Sequence, residues 1–425
     1  MIILKSSVPR KRRGGTGHAE PLEGLRVLAV EQFGAGPVGT MILADLGAEV
    51  IKIENPAVQG DSARPVPPYS LPNNDSYYFQ AFNRNKKSVA LQITAPEGRE
   101  ILHRLVARSD ALFSNCKGTD PEKLRLTYKH MSSYNEKIVC CFLSGFGMTG
   151  PRSREPAYDY LMQAYAGIMS LTGEPGGPPA KAGVSFVDYS GGFLGMLGLM
   201  TGLWEVNRTG KGRDIDVALL EGAACQLGYL AIWALNCGHV PRKFAHSAHP
   251  SLVPAQNFET KDGWVSVLCM KHKFYPILVE KMGRPELAVD LRFRTPKDRF
   301  DNRETLLEIL SREFRKKTNA EWAALLTGHV PFAPVNTVAQ ALEDPQLRAR
   351  GMIVEVEHPS AGTIQMLGCP VRIPGAEMRW VRAPYLGEHT REVLCDLAGL
   401  RDEDLKALRA KGVVDWTEPV GPEKS

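Results

Sequence analysis

Apolar and polar positions alternate along the chain in short buried runs and longer amphipathic ones. Residues 25–30 (LRVLAV) form an apolar run of strand length. A glycine-rich turn over residues 31–37 follows, then residues 38–46, where apolar side chains recur at helical spacing. Gly47 ends that helix and residues 49–54 (EVIKIE) read as a second strand, which predicts a βαβ unit with a right-handed crossover. The alternation continues with strands at 88–93, 111–114 and 137–144 and helices at 96–107 and 121–134. A doubly wound α/β domain is the expectation.

After about residue 245 the texture changes. Residues 257–267 contain an Asp-Gly turn between alternating segments, a hairpin signal, and a second hairpin is expected over 353–366 with Gly362 at its turn. Helices at 303–316 and 319–326 lie between them, so this part reads as mixed α+β. The proline- and glycine-rich stretch 368–387 leads to a helical tail, clearest at 402–411. The apolar run 193–204 is too short to span a bilayer, and 217–235 holds Glu221 and Gln226, so both are expected as core helices.

Composition adds one fact of position. The chain has 425 residues, 43% hydrophobic and 23% charged, values of an ordinary globular protein. Its net charge of +5 comes from Lys5, Arg10, Lys11, Arg12 and Arg13 in a leader without acids, so the remainder is balanced. A balanced body argues against nucleic-acid binding. The leader lacks the layout of a secretory signal, and Pro9, Gly14 and Gly15 interrupt any presequence helix, so it is expected to be disordered. The eight cysteines are dispersed without a C-x-x-C pair, which suits reduced thiols and a cytoplasmic protein.

Most short motifs carry little chemistry. Gly34-Ala-Gly36 after a strand is a weak dinucleotide signal, compatible also with a plain turn or with another phosphate-bearing ligand at a helix start. Thr209-Gly-Lys-Gly-Arg213 has the wrong spacing for a phosphate loop and reads as a turn. His246 and His249 have no third ligand nearby, and no metal is expected. Asp188, in Gly183-Val-Ser-Phe-Val-Asp-Tyr-Ser-Gly-Gly192, precedes an apolar helix. A carboxylate there is ordinarily an N-cap, yet it also suits a nucleophile, because adjacent glycines admit a bulky substrate.

Taken together, Gly24-Leu-Arg-Val-Leu, Ala35-Gly-Pro37, Leu43-Ala-Asp-Leu-Gly-Ala-Glu-Val-Ile-Lys-Ile-Glu54, Asn83-Arg-Asn-Lys-Lys-Ser88, Ser144-Gly-Phe-Gly-Met-Thr-Gly-Pro151, Thr209-Gly-Lys-Gly212, Ala248-His-Pro250 and Leu386-Gly-Glu-His-Thr390 stand in the order of the family III CoA-transferases. The chain resembles that family, which includes formyl-CoA and carnitine CoA-transferases, from about Pro21 to Val414. The resemblance implies an α/β fold with a Rossmann-like large domain built from both chain ends, a smaller α+β domain and an interlocked, ring-like homodimer. Applied to this chain, it gives a leader at 1–20, a large domain at 21–222 completed by 380–425, a linker helix at 223–245, a small domain at 246–367 and a return linker at 368–379. It implies CoA transfer from an acyl-CoA to a carboxylic acid through an aspartyl anhydride and an aspartyl-CoA thioester on Asp188. Asp159, in the preceding block, is not the nucleophile. CoA would lie along Phe33, Gly34, Ala35, Leu91, Thr94, Asn115, Lys123 and Tyr158, as substrate and not as a resident cofactor. No nucleic-acid or membrane partner is implied.

Two departures bear on the CoA phosphates. Asn55 stands where family members carry arginine, and Ser114-Asn-Cys-Lys-Gly-Thr119 keeps only the asparagine of its block, so Lys117, Lys123 or Arg64 is expected to supply charge. An acyl-CoA racemase of the same fold would need histidine at Tyr158, and tyrosine is a poor base near neutral pH. A CoA-binding protein without chemistry is the remaining alternative, and the side chains expected around the acyl group admit many donor and acceptor acids.

Overall fold

The computed structural model of the protein describes residues 20–417; the leader's expected disorder lies outside them. In chain order, β1 (Arg26–Val30), α1 (Ala35–Asp45), β2 (Glu49–Glu54), α2 (Tyr77–Asn83), β3 (Lys87–Leu91), α3 (Pro96–Val106), β4 (Ala111–Ser114) and β5 (Val139–Ser144) are followed by α4 (Asp159–Tyr165), the long α5 (Phe186–Thr209), β6 (Asp214–Ala218) and α6 (Leu219–Cys225). Next come α7 (Tyr229–Cys237), β7 (Ala255–Glu259), β8 (Trp264–Leu268), α8 (Phe274–Lys281), α9 (Arg303–Phe314), α10 (Asn319–Leu326) and β9 (Phe332–Pro334). The hairpin β10 (Ile353–His358) and β11 (Gly362–Leu367), helices α11 (Thr390–Ala398) and α12 (Asp402–Ala410), and β12 (Val414–Asp415) complete it.

The chain forms two compact units. Among the described residues, the first runs to Ala166 and takes in Val184–Leu227 and residues 347–417; the second comprises Gly167–Gly183 and Gly228–Gln346. In the first, seven strands pair in the order β12-β3-β2-β1-β4-β5-β6, all parallel except β12, which joins β3 antiparallel at one edge. The six parallel strands thus follow the doubly wound order 3-2-1-4-5-6. Val27, Leu28 and Ala29 are all fully buried, as a central strand covered on both faces requires.

The second unit is a three-stranded antiparallel sheet, β9-β8-β7, with helices packed on it around Val265, Tyr275, Leu278, Phe314 and Trp322. Its β7-β8 hairpin is the one the Asp-Gly turn predicts.

Three expectations change. The helix expected at 121–134 is two short turns, Asp120–Lys123 and Tyr128–Met131, because Arg125 between them adopts a left-handed φ of 53°. The β10-β11 hairpin groups with the first unit rather than with an α+β domain ending at 367: the Leu367 carbonyl accepts from Arg84 at 2.8 Å, and His358 meets buried Asp75 at 3.0 Å. The two apolar runs are not simply core helices. Run 217–235 ends β6 and then splits into α6 and α7 at Gly228, where φ is 52°, and α7 buries no residue. In α5, glycines face inward. A Cβ on Gly195 would lie 3.2 Å from Phe113, on Gly198 2.9 Å from Ile215 and on Gly202 2.7 Å from Val139, so the helix backbone lies directly against the sheet. Phe193, Leu197 and Trp204 are consequently left exposed on its other side.

Candidate active site

Strand order reverses between β1 and β4, where doubly wound sheets bind ligands at the carboxyl ends of their strands. The loops leaving those two strands are stapled together. Asn115 Oδ1 accepts from the Gln32 amide at 2.9 Å and Asn115 Nδ2 donates to the Gln32 carbonyl at 2.8 Å. Beside this staple Phe33 adopts φ 60°, a conformation unfavourable for a side chain of its size. Three contacts hold it: its amide donates to Asp61 Oδ1 at 3.1 Å, its ring meets Tyr158 edge-on at 5.9 Å, and it packs on Ala63 and Phe79. Asp61 is itself fixed by buried Lys52 at 2.8 Å.

Gly34 then caps α1, and Ala35, its first residue, is buried. A Cβ on Gly34 would stand 3.2 Å from Asp188 Oδ2 and 3.9 Å from the Tyr78 hydroxyl, so the carboxylate lies against this turn. What brings it there is a glycine seam between α1 and α5: a Cβ on Gly39 would be 2.7 Å from the Gly192 carbonyl, and one on Gly192 2.5 Å from the Ala35 carbonyl. Neither position has room for a side chain.

Asp188 is the third residue of α5, not its cap. Ser185 occupies the cap position without a side-chain bond, and Asp159 of α4 does the capping: its Oδ2 accepts from the amides of Val187 at 2.9 Å and Asp188 at 3.2 Å. Burial, and secondarily the Asp159 charge, push the Asp188 carboxyl up to about 7. Burial and the nearby Asp188 charge likewise raise the Tyr78 phenol.

Phe33, Gly34, Ala35, Asn115, Tyr158 and Asp188 are therefore joined through this one turn. Tyr158, at the cap of α4, is 58% exposed and open to a ligand. Leu91 ends β3 in the core, Thr94 is exposed in the loop beyond it, and Lys123 reaches only Asp120, at 3.4 Å; none hydrogen-bonds to the group around Asp188. Lys117 is exposed. Arg64 is not available for a phosphate: it is fully buried in a two-bond pair with Glu54, at 2.8 and 2.7 Å. Asn55 caps the turn Pro56–Val58 by accepting from Ala57 at 3.0 Å. His249 serves its own loop, its Nδ1 accepting from the amides of Ser251 and Leu252, both at 3.1 Å. Asp61 and Tyr78 escape a reading by sequence, and Asp159 is read there only as a rejected nucleophile, since each meets the turn only through space.

The sheet order places this turn and Asp188 at the switch point where doubly wound α/β enzymes bind their ligands. The chain belongs to CoA-transferase family III, whose model matches residues 22–390, and is an acyl-CoA:carboxylate CoA-transferase. It is 34% identical over 401 residues to the succinyl-CoA:glutarate CoA-transferase of Mus musculus, covering 94% of this chain and 91% of that one. The acetyl-CoA:oxalate CoA-transferase of Acetobacter aceti is 34% identical over 390 residues, covering 91% and 96%. Among solved structures, a CAIB/BAIF family protein from Brucella suis superimposes with a TM-score of 0.76 at 35% identity, covering 89% of this chain and 99% of that one. Among the described residues no helix is long and apolar enough to cross a membrane.

Proposed function

We propose that Asp188 is the nucleophile of this transferase and that its substrates are small dicarboxylic acids and their CoA thioesters. The observation that carries the first part is a half-buried carboxylate whose oxygens accept no hydrogen bond among the described residues, set against a glycine with no side chain to block approach. The second part rests on the relatives, which are named for glutarate, oxalate and mesaconate.

A carboxylate oxygen of Asp188 attacks the thioester carbonyl; the C–S bond breaks, CoA leaves as thiolate and a mixed anhydride remains. The thiolate attacks the aspartyl carbonyl, which releases the donor acid and leaves an aspartyl-CoA thioester. The acceptor carboxylate attacks that thioester and expels the thiolate again. A last attack of the thiolate on the acceptor's acyl carbon yields the new thioester and frees Asp188. Every step exchanges one anionic nucleophile for another, so no general base is required and the thioester energy is kept. With the Phe33 amide engaged by Asp61, the backbone amides of Gly34 and Ala35 suit the oxyanion of each tetrahedral intermediate. Phe33, Gly34, Ala35, Leu91, Thr94, Asn115, Lys123 and Tyr158 form the CoA groove in this reading. With Arg64 committed to Glu54, Lys117 and Lys123 are the cations left from the expected set to meet the phosphates.

We read the assembly as an interlocked homodimer, supported by the exposed apolar side of α5, and the location as cytoplasmic, supported by eight free cysteines. Mass spectrometry of the protein incubated with succinyl-CoA tests the nucleophile: an adduct is expected on the Asp188 peptide. Asp188→Ala should form no adduct and lose turnover with its fold intact, and retained turnover would overturn the assignment. With glutarate, oxalate, mesaconate and the monocarboxylate butyrate offered as acceptors, faster transfer to butyrate would overturn the dicarboxylate reading.

A further inference from the structure

At the start of α5 a 24-residue helix presents its first amides beside the reactive carboxylate. Such amides are unsatisfied donors at the positive end of the helix dipole. Left free, they would hold Asp188 as a relaxed, weakly basic anion. They are not free. Asp159 Oδ2 takes the Val187 and Asp188 amides at 2.9 and 3.2 Å, while its Oδ1 accepts from Gln163 at 2.6 Å. Asp159, 3% exposed, thus spends both carboxylate oxygens on three N–H donors.

We propose that Asp159 is a positioning residue of the transfer reaction, one that locks the first turn of α5 so that Asp188 faces Gly34, and that loads the nucleophile with a neighbouring like charge. This rests on the reading of Asp188 as nucleophile. The charge has a direction in the reaction. When Asp188 attacks, its negative charge passes to the departing CoA sulfur and the aspartyl group becomes a neutral anhydride. Repulsion from Asp159 exists before the step and is gone after it. Asp159 therefore destabilises the carboxylate relative to the anhydride and keeps Asp188 more basic than an N-terminal aspartate would be.

The surroundings leave few other sources for this effect. The ionisable groups facing the Asp188 carboxyl are Asp159 from α4 and Tyr78 from α2, while the end of α1 brings only Gly34 and Ala35. On the sheet side, the Cys141 thiol is engaged further along the helix with the Gly195 carbonyl at 3.4 Å.

Asp159→Asn keeps an oxygen for the helix amides and removes the charge, whereas Asp159→Ala removes both. The full-length protein is titrated by carbon NMR with labelled aspartate carboxyls, the Asp188 signal being assigned by its loss in Asp188→Asn. In Asp159→Asn this midpoint should move to lower pH, with the acid limb of kcat/KM for succinyl-CoA following it and kcat falling on the order of tenfold. Asp159→Ala should cost kcat on the order of a hundredfold, with KM for the thioester changed less. Asp159→Glu should recover most of the midpoint. An Asp188 midpoint unchanged in Asp159→Asn would overturn the proposal, even with an adduct forming normally on Asp188. Failure of the adduct in the wild-type protein would instead remove the nucleophile reading, and this inference with it.

Discussion

Asp188 shows at the scale of one residue how a buried carboxyl weakens the fold that holds it. Its carboxyl is raised from an ordinary 3.8 to about 7, burial acting first and Asp159 second. The native state therefore holds a proton that the unfolded chain has released once pH passes 3.8. Between 3.8 and about 7 stability declines, and above 7 the whole penalty is present; below 3.8 both states are protonated and none remains. Asp188→Asn removes the titrating group at nearly constant shape. It should stabilise the protein at pH 8 by roughly 2–4 kcal/mol, the upper figure being the full linkage value and the lower allowing for solvent contact. The gain should shrink to nothing near pH 4. Urea denaturation of both proteins at the two pH values measures it, and an equal difference at both would mean that the carboxyl is not perturbed.

At the scale of elements, legibility followed what each segment packs against. Strands β1 and β4 could be read because a parallel strand covered on both faces is a near-continuous apolar run, β2 despite its Glu49, Lys52 and Glu54 because it follows the glycine that ends α1, and α3 because it carries a periodic stripe. The break at Arg125 could not, since a left-handed turn there falls on an arginine rather than a glycine. Asp188 was readable as a candidate from its flanking glycines, but its capping partner was not, because Asp159 reaches it from 29 residues earlier in the chain. Helix α5 misleads for a physical reason. Gly191, Gly195, Gly198 and Gly202 give a stripe with no hydrophobicity at all, yet that is the face laid on the sheet. Phe193, Leu197, Met200 and Trp204, spaced three or four apart, form a second stripe, with Leu197 64% and Trp204 68% exposed. An exposed apolar stripe of that kind suits a protein–protein interface. Leu197→Glu with Trp204→Glu should weaken self-association on the order of a hundredfold or more, read by light scattering across a dilution series. A wild-type protein already monomeric at micromolar concentration, or a double variant that still dimerises equally well, would show that this face is not the contact.

Across the whole of the first unit, distant parts of the chain are tied at one buried ion pair. Arg64 binds Glu54 through two hydrogen bonds, and its Nη1 and Nη2 both reach the Pro384 carbonyl at 3.2 Å, 320 residues further on. Its guanidinium lies 3.9 Å from the Phe79 ring. Glu54 also accepts from Ser88 at 2.6 Å and from the Asp61 amide at 3.0 Å, so the pair connects the end of β2 to β3 and to the loop that supports Phe33. Burial alone would raise the Glu54 carboxyl; Arg64, Lys52 and Ser88 overcome it and hold the group near 2. The unfolded chain takes up that proton first as pH falls below 4.5, so the stabilisation is complete above 4.5 and is lost on the way down to about 2. Its full linkage value is about 3 kcal/mol. Arg64→Met keeps the bulk over Phe79 and leaves Glu54 buried without its cation, which should cost about 3–5 kcal/mol at pH 7. In that variant Glu54 becomes neutral at a much higher pH, and because both unfolded chains titrate alike, the wild-type advantage should narrow steadily from that higher pH down to about 2. Urea midpoints measured from pH 2 to 8 for both proteins test this, and two parallel curves would mean that Glu54 does not titrate through its pairing with Arg64.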